Sequence, residues 1–167
     1  MRAFRPVLFL VLFAAAVGAA WWWFHRSPGV GADAITVYYV KADGTTLVPW
    51  PVTLGPARDV KSVAFYAATQ AVSGPPSGTE AIRFPAGTLV RGIDVDGSTV
   101  IVDLSKQVAT SAEGGFAESA EFKALVWTMT QPPLPFTAVS VRVGGARVAT
   151  LPGGHLELDE PLTRSSF

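Results

Sequence analysis

An unbroken apolar block opens the chain. Residues 7–24 (VLFLVLFAAAVGAAWWWF) carry no charge. As a helix rising ~1.5 Å per residue, the block spans ~27 Å, close to a hydrocarbon core of ~30 Å. Arg2 and Arg5 precede it, and His25 and Arg26 follow it. The block predicts one transmembrane helix with its N-terminus inside and the rest of the chain outside. Trp21, Trp22 and Trp23 stand at its outer end, where amphipathic rings favour the membrane–water interface. The competing reading is a cleaved signal peptide, with residues 7–20 as its apolar core and Gly18 and Ala20 near the cut. Cleavage there leaves a mature terminus of three tryptophans. Under both readings the domain is extracytoplasmic. Residues 1–26 form the anchor or signal, and residues 27–33 (SPGVGAD) a short linker.

Beyond the linker the periods change repeatedly. Residues 35–40 (ITVYYV) are β-branched and aromatic, which predicts a strand. Asp43-Gly44 is a two-residue hairpin signal. Residues 46–54 form the return strand, with Pro49 and Pro51 confining it to a sheet edge or an irregular course. From Pro56 to Val72 the apolar residues Val60, Val63, Ala64, Ala67, Ala68 and Ala71 recur at helical spacing. Residues 89–95 and 99–104 alternate and flank Asp96-Gly97, a second hairpin signal. Residues 105–115 read as loop and 117–130 as a second helix, with Phe122, Leu125, Val126 and Met129 on one face. Residues 139–143 (VSVRV) alternate as a last full strand, and 147–149 can form a short one. The order predicts an α+β domain. Its expected form is a mixed, mostly antiparallel sheet of about five strands with two helices on one face.

Charge placement sharpens this picture. The chain has 13 basic and 13 acidic residues and a mean hydropathy of +0.35. Arg2, Arg5 and Arg26 precede every acidic residue, so ten basic face 13 acidic residues in the remainder, a net charge of −3. That balance argues against nucleic acid as a partner, which needs a basic face. The absence of cysteine excludes disulfides, a thiol nucleophile and Cys-ligated metal.

Catalytic patterns are weak. His155 is the one histidine beyond the linker, and a loop position explains it better than a base in a triad. Asp94 and Asp96 share a strand face and precede Gly97, but position twelve from Asp94 is Ser105, where a calcium loop needs Glu. The hairpin accounts for that pair. Asp103 and Glu118 are candidates for paired carboxylates, but nothing in the sequence selects them. No phosphate-cradling glycine pattern occurs. No metal or other cofactor is expected. Trp50 stands between two prolines, either as a packed edge or as a recognition surface.

Several stretches in order carry a family resemblance. They are ITVYY at 35–39, LVP at 47–49, FPAGTL at 84–89, VDLSK at 102–106, Gly115 with Glu118, TMTQ at 128–131, and the strand at 139–143 followed by Gly144-Gly145 and LPGGH at 151–155. Together they resemble the GerMN domain, the sporulation and spore-germination domain, over residues 34–160. Residues 161–167 are then a C-terminal tail. The usual T-x-T-Q continues with Phe-Pro, whereas Pro132-Pro133-Leu134-Pro135 follows here.

The resemblance implies a fold similar to ring-building motifs and a non-enzymatic, membrane-anchored module of the bacterial cell envelope. Such a module acts through a protein complex or through self-association. The alternative is a peptidoglycan-binding accessory module. The family has no known catalytic set to carry over. Asp103 and Ser105 can cap backbone donors in the following loop, and Thr128, Thr130 and Gln131 can satisfy carbonyls at the end of the second helix. The functional alternative is that Asp103, Glu118, Thr130 and Gln131 line one binding groove, with Trp50 on a separate edge.

Overall fold

The structure is a computed structural model that describes residues 13–18, 21, 33–55, 59–110 and 114–167. The chain divides into two units, Met1–Gly31 and Ala32–Phe167. In the first unit residues 13–18 and 21 are helical, and Trp21 is exposed. Trp22, Trp23 and most of the expected span at 7–24 lie outside the described residues. Among the described residues no helix is long and apolar enough to cross a membrane.

The second unit opens with a hairpin. β1 (Ala34–Val40) pairs antiparallel with β2 (Leu47–Thr53). Lys41 N–H donates to Thr46 O at 3.0 Å and Leu54 N–H to Asp33 O at 2.6 Å. In an antiparallel ladder, bonded pairs alternate with unbonded ones. Pro49 and Pro51 fall opposite Tyr38 and Thr36, in the unbonded set, so their nitrogens face away from β1. β2 is therefore an edge that withholds two donors, as its prolines predicted. The connection is longer than the two residues expected. Residues 42–45 form the loop, because the Asp43 carboxylate gathers Thr45 N–H, Thr46 N–H and Thr46 Oγ1 at 2.6–2.8 Å.

α1 (Val60–Ser73) begins where Asp59 caps it, accepting from Ser62 N–H at 2.9 Å. Pro56, the expected first helical position, lies outside the described residues. Val63, Ala64, Ala67, Ala68, Ala71 and Val72 are buried on its inner face. The small side chains let α1 pack against β1, β3 and α2.

β3 (Val90–Asp96) and β4 (Thr99–Leu104) form the second hairpin across a two-residue Gly97-Ser98 turn. A 3-10 turn, Lys106–Thr110, and α2 (Gly114–Met129) then carry the chain across the sheet. β5 (Ala138–Val143) lies parallel to β4, and β6 (Ala146–Arg147) returns antiparallel. The domain is α+β, with two sheets of orders β1-β2 and β3-β4-β5-β6. This corrects the single sheet of about five strands. The reason is at β1, whose outer edge is taken by two side chains and one loop N–H rather than by another strand.

The core lies against one face of the larger sheet. Val100, Val102, Leu104, Val139 and Val141 are all but fully buried there, with Phe122, Leu125, Val126 and Met129 of α2. Phe84 meets Phe122 edge-on, with centroids 5.6 Å apart. The last residues are part of this packing. Leu162 bridges to Val139, and Phe167 contacts Trp127 at 6.2 Å.

Candidate functional site

The T-x-T-Q stretch ends α2 beside the outer edge of β1. Thr128 is fully buried, and its hydroxyl accepts from Tyr38 N–H at 2.9 Å while donating to Ala124 O at 2.8 Å. Gln131 Nε2 donates to Thr36 O and, at 3.3 Å, to Thr128 O. Ile82 N–H completes the edge by donating to Val40 O at 2.8 Å. Thr36, Tyr38 and Val40 thus find partners on the side away from β2. The two motif residues work on a strand as well as on their own helix end. Thr130 is half-buried; it donates to Val126 O and receives Arg164 Nε at 2.9 Å. The Arg164 guanidinium also lies over the Trp127 ring at 5.6 Å.

Asp103 sits on the other side of the large sheet. Its strand alternates, with Val100, Val102 and Leu104 inward and Thr99, Ile101 and Asp103 outward. The carboxylate accepts from Gly145 N–H at 2.8 Å, and Arg91 Nε lies 3.8 Å from its second oxygen. It pins the β5–β6 turn rather than the loop after its own strand. Ser105 instead accepts from Leu89 N–H at 3.0 Å and ties down the start of β3.

Glu118 is 3% exposed. One of its carboxylate oxygens accepts from His155 N–H at 3.0 Å; the other, Oε1, has no hydrogen-bond partner. It lines a cavity of about 20 Å³ with Val108, Ala109, Leu151, Pro152, Gly153 and Gly154. Thr130 lines a separate, shallow depression with Phe136, Thr137, Thr163, Arg164 and Ser165. The structure thus places Asp103, Glu118 and Thr130 in three different surroundings and uses Gln131 at the β1 edge. They do not line one groove. Trp50 is 38% exposed on the β2 edge.

The outward face of the large sheet is where polar groups gather. Asp94 stands opposite Ile101, Ile101 opposite Ser140, Asp103 opposite Arg142, and Arg142 opposite Arg147. Lys61 donates to Asp94 at 3.0 Å and holds its carboxyl below the usual range. Carboxylates and guanidinium groups therefore surround a half-exposed isoleucine.

Part of this arrangement is legible in the sequence. Glu118, Phe122, Leu125 and Met129 follow a 4, 3, 4 spacing, which puts Glu118 in the apolar stripe of α2. Thr128 sits one residue from that stripe. Asp59 with Ser62 three residues on is an N-cap pattern.

Residues 36–149 match the family of sporulation and spore germination, Germane. The chain belongs to the GerMN-domain family. The first GerMN domain of the sporulation protein GerM from Bacillus subtilis has a similar fold, with a TM-score of 0.62 and 23% identity over 79% of this chain and 98% of that one. The tandem GerMN domains of the same protein give a TM-score of 0.63 at 23% identity, again over 79% of this chain. This chain spans 46% of that tandem structure. A putative lipoprotein from Clostridium perfringens is similar at a TM-score of 0.57 and 18% identity, over 79% of this chain and 87% of that one. No curated protein matches the sequence.

Proposed function

We propose that this GerMN domain is a non-enzymatic interaction module of the bacterial cell envelope, held at the cytoplasmic membrane by residues 7–24. It acts by assembling with a protein complex or with its own copies. The observation that carries this reading is the outward face of β3, β4 and β5. Packing covers its opposite face, while Asp94, Asp96, Ile101, Arg142 and Arg147 remain at least partly accessible. Mixed charges around an apolar centre give a surface its partner choice and register.

Native sizing of the full chain, released from the cells that produce it, tests the reading. The expected result is a particle several times the 17.6 kDa chain, reduced by Arg142→Glu and retained by Arg142→Lys at unchanged melting temperature. A lone chain in all three samples would overturn it. Trp50 supports a second reading, since an exposed tryptophan on a sheet edge suits stacking on sugar. Saturable pelleting with isolated sacculi that is lost in Trp50→Ala is the outcome that favours wall binding.

A further inference from the structure

Four cations converge on the Gly144-Gly145 turn at one end of the large sheet. Arg142 and Arg147 stand directly opposite each other on the strands it joins. A Cβ on Gly144 would lie 3.1 Å from Lys106 Cε and 3.6 Å from Arg91 Nη1, so those two side chains reach the same turn. Asp103 meets the group through Arg91 and Gly145 N–H. Among the described residues, Lys106, Arg142 and Arg147 form no salt bridge. Like charges directly opposite in an antiparallel pair destabilise it. The gathering also runs against the balance of residues 27–167, whose net charge is −3. An anion from outside the chain offsets both. Leu89 narrows the choice of anion. It is 65% exposed, and its N–H and C=O are both tied to Ser105, the neighbour of Lys106. A bare leucine beside cations gains nothing from a dissolved anion. It gains from hydrocarbon, and basic residues next to an apolar one suit an anionic bilayer surface.

We infer that this end of the sheet docks on an anionic phospholipid surface. Headgroup phosphodiesters sit among Arg91, Lys106, Arg142 and Arg147, and Leu89 enters the acyl boundary. Arginine forks match the paired oxygens of a phosphate. The inference rests on the anchored reading of residues 7–24. From such an anchor the linker 27–33 extends about 25 Å at most, which keeps headgroups within reach of the domain. Arg142 and Arg147 also belong to the face proposed for assembly, so the test changes Arg91 and Lys106 instead.

The test compares amide resonances of the full chain in nanodiscs of phosphatidylcholine with those in discs of equal parts phosphatidylcholine and phosphatidylglycerol. The expected result is shifts at Leu89, Arg91, Lys106, Gly144 and Gly145 in the anionic discs alone, reversed by high salt. Arg91→Gln with Lys106→Gln should cut the shifts at Gly144 and Gly145 at least about threefold, while Arg91→Lys with Lys106→Arg retains them. Should the double Gln variant lose its native spectrum, Leu89→Ser leaves every cation in place and should also reduce the shifts. Equal shifts in both discs, none in either, or undiminished shifts in a folded double Gln variant overturn the proposal. Soluble glycerophosphoglycerol that reproduces the shifts in neutral discs assigns the site to a free phosphodiester and overturns the bilayer. A chain that enters neither disc contradicts the anchor rather than the site. Pelleting of that chain with vesicles of the same two compositions then decides, and equal pelleting overturns the proposal.

Discussion

Thr128 and Gln131 each meet an obligation of the backbone. A buried N–H or C=O without a partner costs about 1–3 kcal/mol. Gln131→Ala removes the donor to Thr36 O, and Thr128→Val removes the acceptor for Tyr38 N–H. Each change should destabilise the domain by that amount, seen in urea melts as a lower midpoint with an unchanged slope. Partner binding per folded molecule should stay the same. Carboxylates at exposed turns act through pH. Thr46 hydrogen bonds hold the Asp43 carboxyl far below its usual range, and Ser62 holds that of Asp59 down. Both groups ionise more readily folded than unfolded, so their contribution is present above about pH 4 and is lost as pH falls. Asp43→Asn with Asp59→Asn should flatten the acid limb of stability, measured by urea melts at stepped pH. The chemical types of these residues were plain in the sequence. Their partners were not, because Thr36 and Gln131 are 95 residues apart.

Strands and helices were legible wherever their period was strong. The β3–β4 hairpin and both helices formed where alternation and helical spacing placed them, with ends shifted by a few residues. Sheet membership was not legible, since the same alternating strand can be flanked by another strand or by side chains. Side chains from the end of α2, with the Ile82 N–H, settle that choice at β1. The crossover through α2 is long enough to return β5 parallel to β4, which a short turn could not do. On the other side of the hairpin, Pro49 and Pro51 place no N–H on the free edge at two positions. Open edges template pairing with other chains. Pro49→Val with Pro51→Val should therefore keep the fold and increase self-association through β2, read as a concentration-dependent rise in light scattering. Unchanged scattering would show that the prolines do not protect this edge.

The unit Ala32–Phe167 joins a helix-covered core to an open sheet face, and only the core was readable in advance. Residues 151–167 showed no period, yet Leu151, Leu158 and Leu162 are buried and Phe167 packs on Trp127. Their contacts depend on tertiary neighbours rather than on local repetition. The same holds for the outward face, which brings Asp94, Ile101, Ser140 and Arg142 together from three strands. The family motif stabilises the frame, and this face is the one proposed to bind. The most direct measurement is photo-crosslinking in the producing cells, with a photoreactive residue placed at Ile101 or at Thr130. The expected result is a protein adduct from position 101 at several times the yield from position 130. Equal yields, or adducts from position 130 alone, would contradict it.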